Sequence, residues 1–144
     1  MNIINETVIE NLRENTKRLL DVYEDFGLNK TPKNISEDIS GLLETAIERN
    51  VEGAIAPKVD SEPDIRYNGK AVEIKTSAGT NWRGGTFSKR PGYYIFVTYE
   101  LDENNNIKML FKAQKPYANF LNQDFPSMIS NDNLLINPSK WEDI

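Results

Sequence analysis

The dipeptide Asn68-Gly69 stands between two extended runs, Pro63-Asp64-Ile65-Arg66-Tyr67 and Lys70-Ala71-Val72-Glu73-Ile74-Lys75, and constrains the fold more than any other feature of the chain. Asn-Gly in that setting is the strongest short-range signal for a two-residue type I′ hairpin, because both loop residues must take a positive φ. A two-residue loop also sets the register. Tyr67 then faces Lys70, Arg66 faces Ala71, Ile65 faces Val72 and Asp64 faces Glu73. Opposed side chains share a face about 4.5–5.5 Å apart at Cβ, so the two carboxylates converge. Lys75 follows Glu73 by two residues and shares its face, whereas Ile65, Val72 and Ile74 lie on the other and can enter the core.

Directly opposed carboxylates repel unless a cation or a proton intervenes. The chain of 144 residues has no histidine and no cysteine. Ser-His-Asp triads, Cys-His dyads, zinc fingers and disulfides are therefore excluded, and any metal must be held by oxygen. That favours Mg²⁺, with Mn²⁺ as a substitute, since Mg²⁺ takes one or two carboxylates and fills its shell with water and phosphate oxygens. An ammonium beside such a metal orients or helps deprotonate a water and steadies negative charge at a reacting phosphate. Metal, water and Lys75 on one face make up apparatus for phosphodiester hydrolysis.

Pro63-Asp64, eight intervening residues, then Glu73-Ile74-Lys75 resembles the PD-(D/E)xK nuclease superfamily, which contains type II restriction endonucleases, Holliday-junction resolvases and repair nucleases. The resemblance covers roughly residues 40–99. It implies a restriction-endonuclease-like core, a central mixed sheet flanked by helices. Asp64 and Glu73 would be metal ligands with the backbone carbonyl of Ile74, and Lys75 the catalytic lysine. Many members carry a glutamate on the helix before the hairpin; Glu44 matches that location and would be a further ligand or orienter. The stretch from Thr80 to Gly92 looks like the segment that approaches DNA in restriction-type members, with Arg83, Lys89 and Arg90 as DNA contacts.

Around the hairpin, Glu6 to Phe26 reads as an amphipathic helix ended near Gly27. Ile35 to Asn50 reads as a second, capped by Asn34 or Ser36, with Ile39, Leu42, Leu43, Ala46 and Ile47 as its buried stripe. Val51 to Val59 gives no clear signal. Tyr93 to Tyr99 is nearly continuously apolar and predicts a central strand covered on both faces. A turn over Leu101 to Asn106 leads into a strand from Ile107 to Ala113. Pro116 is placed to open a helix through Leu121, and the remainder reads as irregular. There is no repeat, linker or low-complexity tract. The order of elements predicts a single α/β (α+β) domain: helices over about 6–50, hairpin and sheet over about 51–113, a helix and tail over about 115–144.

The net charge of -5 argues against a polyanion until it is divided. Between Gly53 and Gly92 seven basic residues stand against four acidic ones, giving +3 there and -8 elsewhere. The expectation is a Mg²⁺-dependent DNA endonuclease, a small type II restriction enzyme cutting double-stranded DNA at a short specific site. It would act as a homodimer, with the first helix available to the interface. With no apolar span and no signal-peptide pattern, the sequence gives no sign of a membrane and a cytoplasmic setting is the default. Two rivals stand beside this reading, a structure-selective nuclease and a non-catalytic binding domain. In the latter Glu44 is a solvated helix residue, Lys75 bridges to Glu62, and Arg66 neutralises Asp64.

Overall fold

The structure, a computed structural model, describes residues 3–29, 31–78, 81–83, 93–116 and 128–130. Two helices are set out there, α1 (Glu6–Phe26) and α2 (Pro32–Asn50). With them go seven strands: β1 (Ala54–Ile55), β2 (Ile65–Tyr67), β3 (Lys70–Ala78), β4 (Asn81–Arg83), β5 (Tyr93–Leu101), β6 (Ile107–Pro116) and β7 (Met128–Ser130). The chain is α+β, with a mixed sheet of order β1-β2-β3-β5-β6 and a separate pairing of β4 with β7. Among the described residues no helix is long and apolar enough to cross a membrane.

α1 starts where Asn5 Oδ1 accepts the N–H of Val8 at 2.9 Å. It stops at Gly27, whose φ of 65° lets its N–H and that of Leu28 turn back onto the carbonyls of Glu24 and Tyr23. Val8, Leu12, Thr16 and Leu20 are buried, a four-residue recurrence that makes one stripe. α2 begins three residues earlier than its apolar pattern suggests. Thr31 is its N-cap, with Oγ1 accepting the Asn34 N–H at 3.2 Å, and Pro32 opens the first turn, where a missing N–H costs nothing. Asn34 and Ser36 are therefore inside the helix. Ser36 instead meets the Tyr99 hydroxyl at 2.7 Å, and Ser40 meets Thr76 at 2.9 Å.

Those two contacts seat α2 on the face of the sheet that carries Ile65, Val72, Ile74, Ile95 and Val97, all buried in one core with Ile39, Leu43, Ala46 and Ile47. The hairpin register is the one the Asn-Gly turn predicts: Ile65 pairs with Val72, Arg66 with Ala71 and Tyr67 with Lys70. Asn68 and Gly69 both take positive φ, 48° and 82°. β5 runs parallel to β3, with Ile74 beside Ile95, and antiparallel to β6, which makes it an interior strand.

Two expectations at the C-terminal end are corrected. Pro116 does not open a helix; it is the last residue of β6 and pairs with Tyr93, in an edge strand where a missing N–H is tolerated. The tail expected to be irregular contributes β7, which pairs with β4. The expected helix from 117 to 121 lies outside the described residues.

β2 is short for a reason that matters to the site. Pro63 has no N–H to give to a ladder, so strand pairing with β3 starts only at Ile65. From Glu73 onward β3 runs without a strand on that side among the described residues.

Candidate active site

The early departure of β2 leaves a gap beside β3, and the side chain of Asp64 fills the first place in it. Asp64 Oδ2 accepts the Ile74 N–H at 2.8 Å, the bond that a continued β2 would have made through its backbone. The carboxylate therefore lies in line with the ladder rather than standing off one face, as simple alternation from Ile65 would put it. In an extended strand the N–H and C=O of one residue point to the same side. The carbonyl of Ile74 accordingly opens toward the Asp64 edge.

Next to this edge is a cleft of about 280 Å³ lined by Glu44, Asp60, Glu62, Asp64 and Glu73, by Lys58, and by Val59 and Pro63. α2 contributes Glu44, the hairpin contributes Asp64 and Glu73, and the segment leading into the hairpin contributes the rest. Glu73 is 6% exposed. Burial chiefly, then the neighbouring Asp64 carboxylate, with a smaller push from Glu73, raises the Glu44 carboxyl to about 7 against the opposing pull of Lys58. Glu44, from α2, thus feels the charges of Asp64 and Glu73, from the hairpin, across a single cleft.

Lys75 is partly buried on β3, two residues beyond Glu73, and does not line this cleft. Arg66 turns its Nε to Glu62 at 2.7 Å. That ion pair answers two questions left by the sequence: the described partner of Arg66 is Glu62 rather than Asp64, and Glu62, in the turn before β2, is engaged with a residue of β2. Among the described residues no group of three acidic side chains is already arranged to hold a metal ion. Asp64 spends one carboxylate oxygen, Oδ2, on the Ile74 N–H. Arg83 ends β4, while Lys89 and Arg90 lie outside the described residues. No protein-family model, no curated protein sequence and no solved structure matches this chain.

Sequence reasoning missed Lys58 and Asp60. Both lie between Pro57 and Pro63, a stretch with neither helical nor strand periodicity. The one signal available was the pair of prolines bracketing four charged or polar residues ahead of the hairpin. A second cleft, about 290 Å³ and lined by Pro32, Ile35, Ala78, Tyr99, Glu100 and Leu101, has a single carboxylate and no comparable constellation.

The raised Glu44 carboxyl makes a stability prediction. Its pKa is higher in the folded chain than the ordinary 4.5, so the stability it allows is fully present below that value and is lost as pH rises through about 7. Glu44→Gln removes the loss. In EDTA, the variant should match the native chain near pH 5 and exceed it near pH 8. After screening at the cleft mouth the gain is about 1–2 kcal/mol. Urea unfolding at the two pH values reads the difference, and equal stabilities near pH 8 would show that the charge is not penalised.

Proposed function

We propose that this protein is a metal-dependent DNA endonuclease with a restriction-endonuclease-like core, cutting double-stranded DNA at a short specific site. The observation that carries the reading is that Glu44, Asp64 and Glu73 line one cleft beside β3, with Lys75 two residues beyond Glu73 on the same strand. The succession of a helix, an antiparallel three-strand meander and then a parallel neighbour to its last strand is in keeping with such a core.

Carboxylate and carbonyl oxygens are the donor type that a hard divalent cation takes. Burial chiefly, and then the charges of Asp64 and Glu73, raise the Glu44 carboxyl, and a divalent cation would offset both effects. Glu44, Asp64, Glu73 and the Ile74 carbonyl would hold Mg²⁺ or Mn²⁺. Such an ion supplies Lewis acidity to the reacting phosphate and lowers the pKa of a water. Water adds to phosphorus as one ester P–O bond breaks, leaving a phosphomonoester end and a hydroxyl end. Lys75 Nζ steadies the negative charge that builds on the phosphate oxygens. Asp64, fixed by its bond to Ile74, keeps Oδ1 at one angle to the cleft.

One such centre cuts one strand, so a double-strand break calls for two copies. The apolar end of α1 supports a homodimer: Val22, Phe26 and Leu28 are 44%, 75% and 51% exposed. The test is incubation of the native chain with plasmid DNA and Mg²⁺, or Mn²⁺, followed by mapping of the ends. Ends at one repeated sequence are expected. Cleavage confined to branched substrates would make this a structure-selective nuclease instead, and no cleavage with any divalent metal would leave a non-catalytic binding domain.

A further inference from the structure

An anionic backbone has to approach a cleft lined by five carboxylates, and the single ammonium among the residues lining it belongs to Lys58. Its position is specified by more than its place in the chain. Glu48 Oε2 accepts the Ala56 N–H at 2.7 Å, and Lys58 Nζ donates to Thr45 Oγ1 at 2.9 Å. Thr45 and Glu48 are three residues apart on α2, so two side chains on adjacent turns of one helix fasten the segment 56–58 to it. Between those ties the backbone of Lys58 takes φ of 59°, the left-handed region that a side chain with a Cβ enters only at a cost. A turn closed by Glu62 N–H onto the Val59 carbonyl, 3.1 Å, then carries the chain to Pro63 and Asp64.

A lysine serving only as a counter-charge could reach the same carboxylates from an ordinary backbone conformation, since its stem has four rotatable carbons. The strained backbone and the two ties instead set its ammonium at the cleft mouth, one residue along the helix from Glu44. We propose that Lys58 is a phosphate-positioning residue, releasing Thr45 to bind a backbone phosphate of DNA entering the cleft beside Asp64 and Glu73. The inference rests on the nuclease reading for its substrate. Hydrolysis itself is assigned to other residues.

The experiment is binding of a short DNA duplex by the native chain and by Lys58→Gln, Lys58→Arg and Lys58→Gly, over a range of salt, with Ca²⁺ in place of Mg²⁺ and the duplex checked intact afterwards. Loss of one phosphate contact should make the slope of log K against log salt shallower by about 0.9 in Lys58→Gln, with Lys58→Arg close to native. Lys58→Gly should bind as weakly as Lys58→Gln yet melt no lower than the native chain, because glycine takes the left-handed φ without strain. In cleavage assays with Mg²⁺ the loss should fall on KM rather than on kcat. A native slope in Lys58→Gln, or a native chain that does not bind the duplex, overturns the inference. If the native chain binds with the expected Lys58 dependence but never cuts, Lys58 stands and the hydrolytic reading falls.

Discussion

Asp64→Asn is expected to reduce Mg²⁺-dependent cleavage of DNA by about three orders of magnitude while hardly changing the melting temperature, with Lys75→Ala losing as much. Asp64 has two duties, and this substitution separates them. The asparagine Oδ1 still accepts the Ile74 N–H that Asp64 Oδ2 accepts at 2.8 Å, so the edge of β3 stays satisfied. What disappears is the negative charge offered to a cation. Asp64→Ala removes both, and should add about 1–2 kcal/mol of destabilisation from an N–H left without a partner. Cleavage rates on plasmid DNA together with thermal melts read the two effects apart. If Asp64→Asn and Lys75→Ala cut like the native chain, the carboxylate edge is not a hydrolytic centre.

Leu43→Ala should cost about 2–5 kcal/mol, the largest stability effect of any single substitution considered for this fold. Leu43 is wholly buried and shares the core with Ile39, Ala46 and Ile47 from its own helix and with Ile65, Val72 and Ile74 from the sheet. A cavity there loosens α2 against the hairpin, next to the residue that carries the Glu44 carboxylate. Phe26→Ala is the contrasting case, since Phe26 is 75% exposed on the isolated chain. For a monomer it should change stability by less than about 0.5 kcal/mol. Urea unfolding compares the two. A large and concentration-dependent loss at Phe26 would mean that the end of α1 is covered by a second copy.

Much of the fold is legible in local chemistry. The Asn-Gly turn specifies the β2–β3 register residue by residue, and the four-residue recurrence of apolar positions specifies α1 with its glycine stop. Where the reading failed, a longer-range partner decided the outcome. Pro116 looks like a helix opener in isolation but ends β6, where it pairs with Tyr93 of β5. β4 and β7 pair across a separation of more than forty residues, which local pattern does not reveal. For the candidate site, the hairpin shows that Asp64 and Glu73 stand near each other, because both belong to one local unit. That Lys58 and Asp60 join them, and Lys75 does not line the same cleft, depends on how segment 56–63 folds back on α2. No periodicity encodes that.

The bond from Ile74 to Asp64 also bears on how this protein avoids its own kind. A stretch of strand like that of β3 past Val72, beside which no described strand runs on one side, is a template on which a strand from another molecule can grow. Here the first N–H a newcomer would reach is already held by a carboxylate, the segment beside it carries Pro63, and the flanking cleft is lined by five acidic side chains. An incoming strand meets an occupied bond and then a wall of like charge. The acidic lining of the cleft therefore doubles as a guard on that stretch of β3.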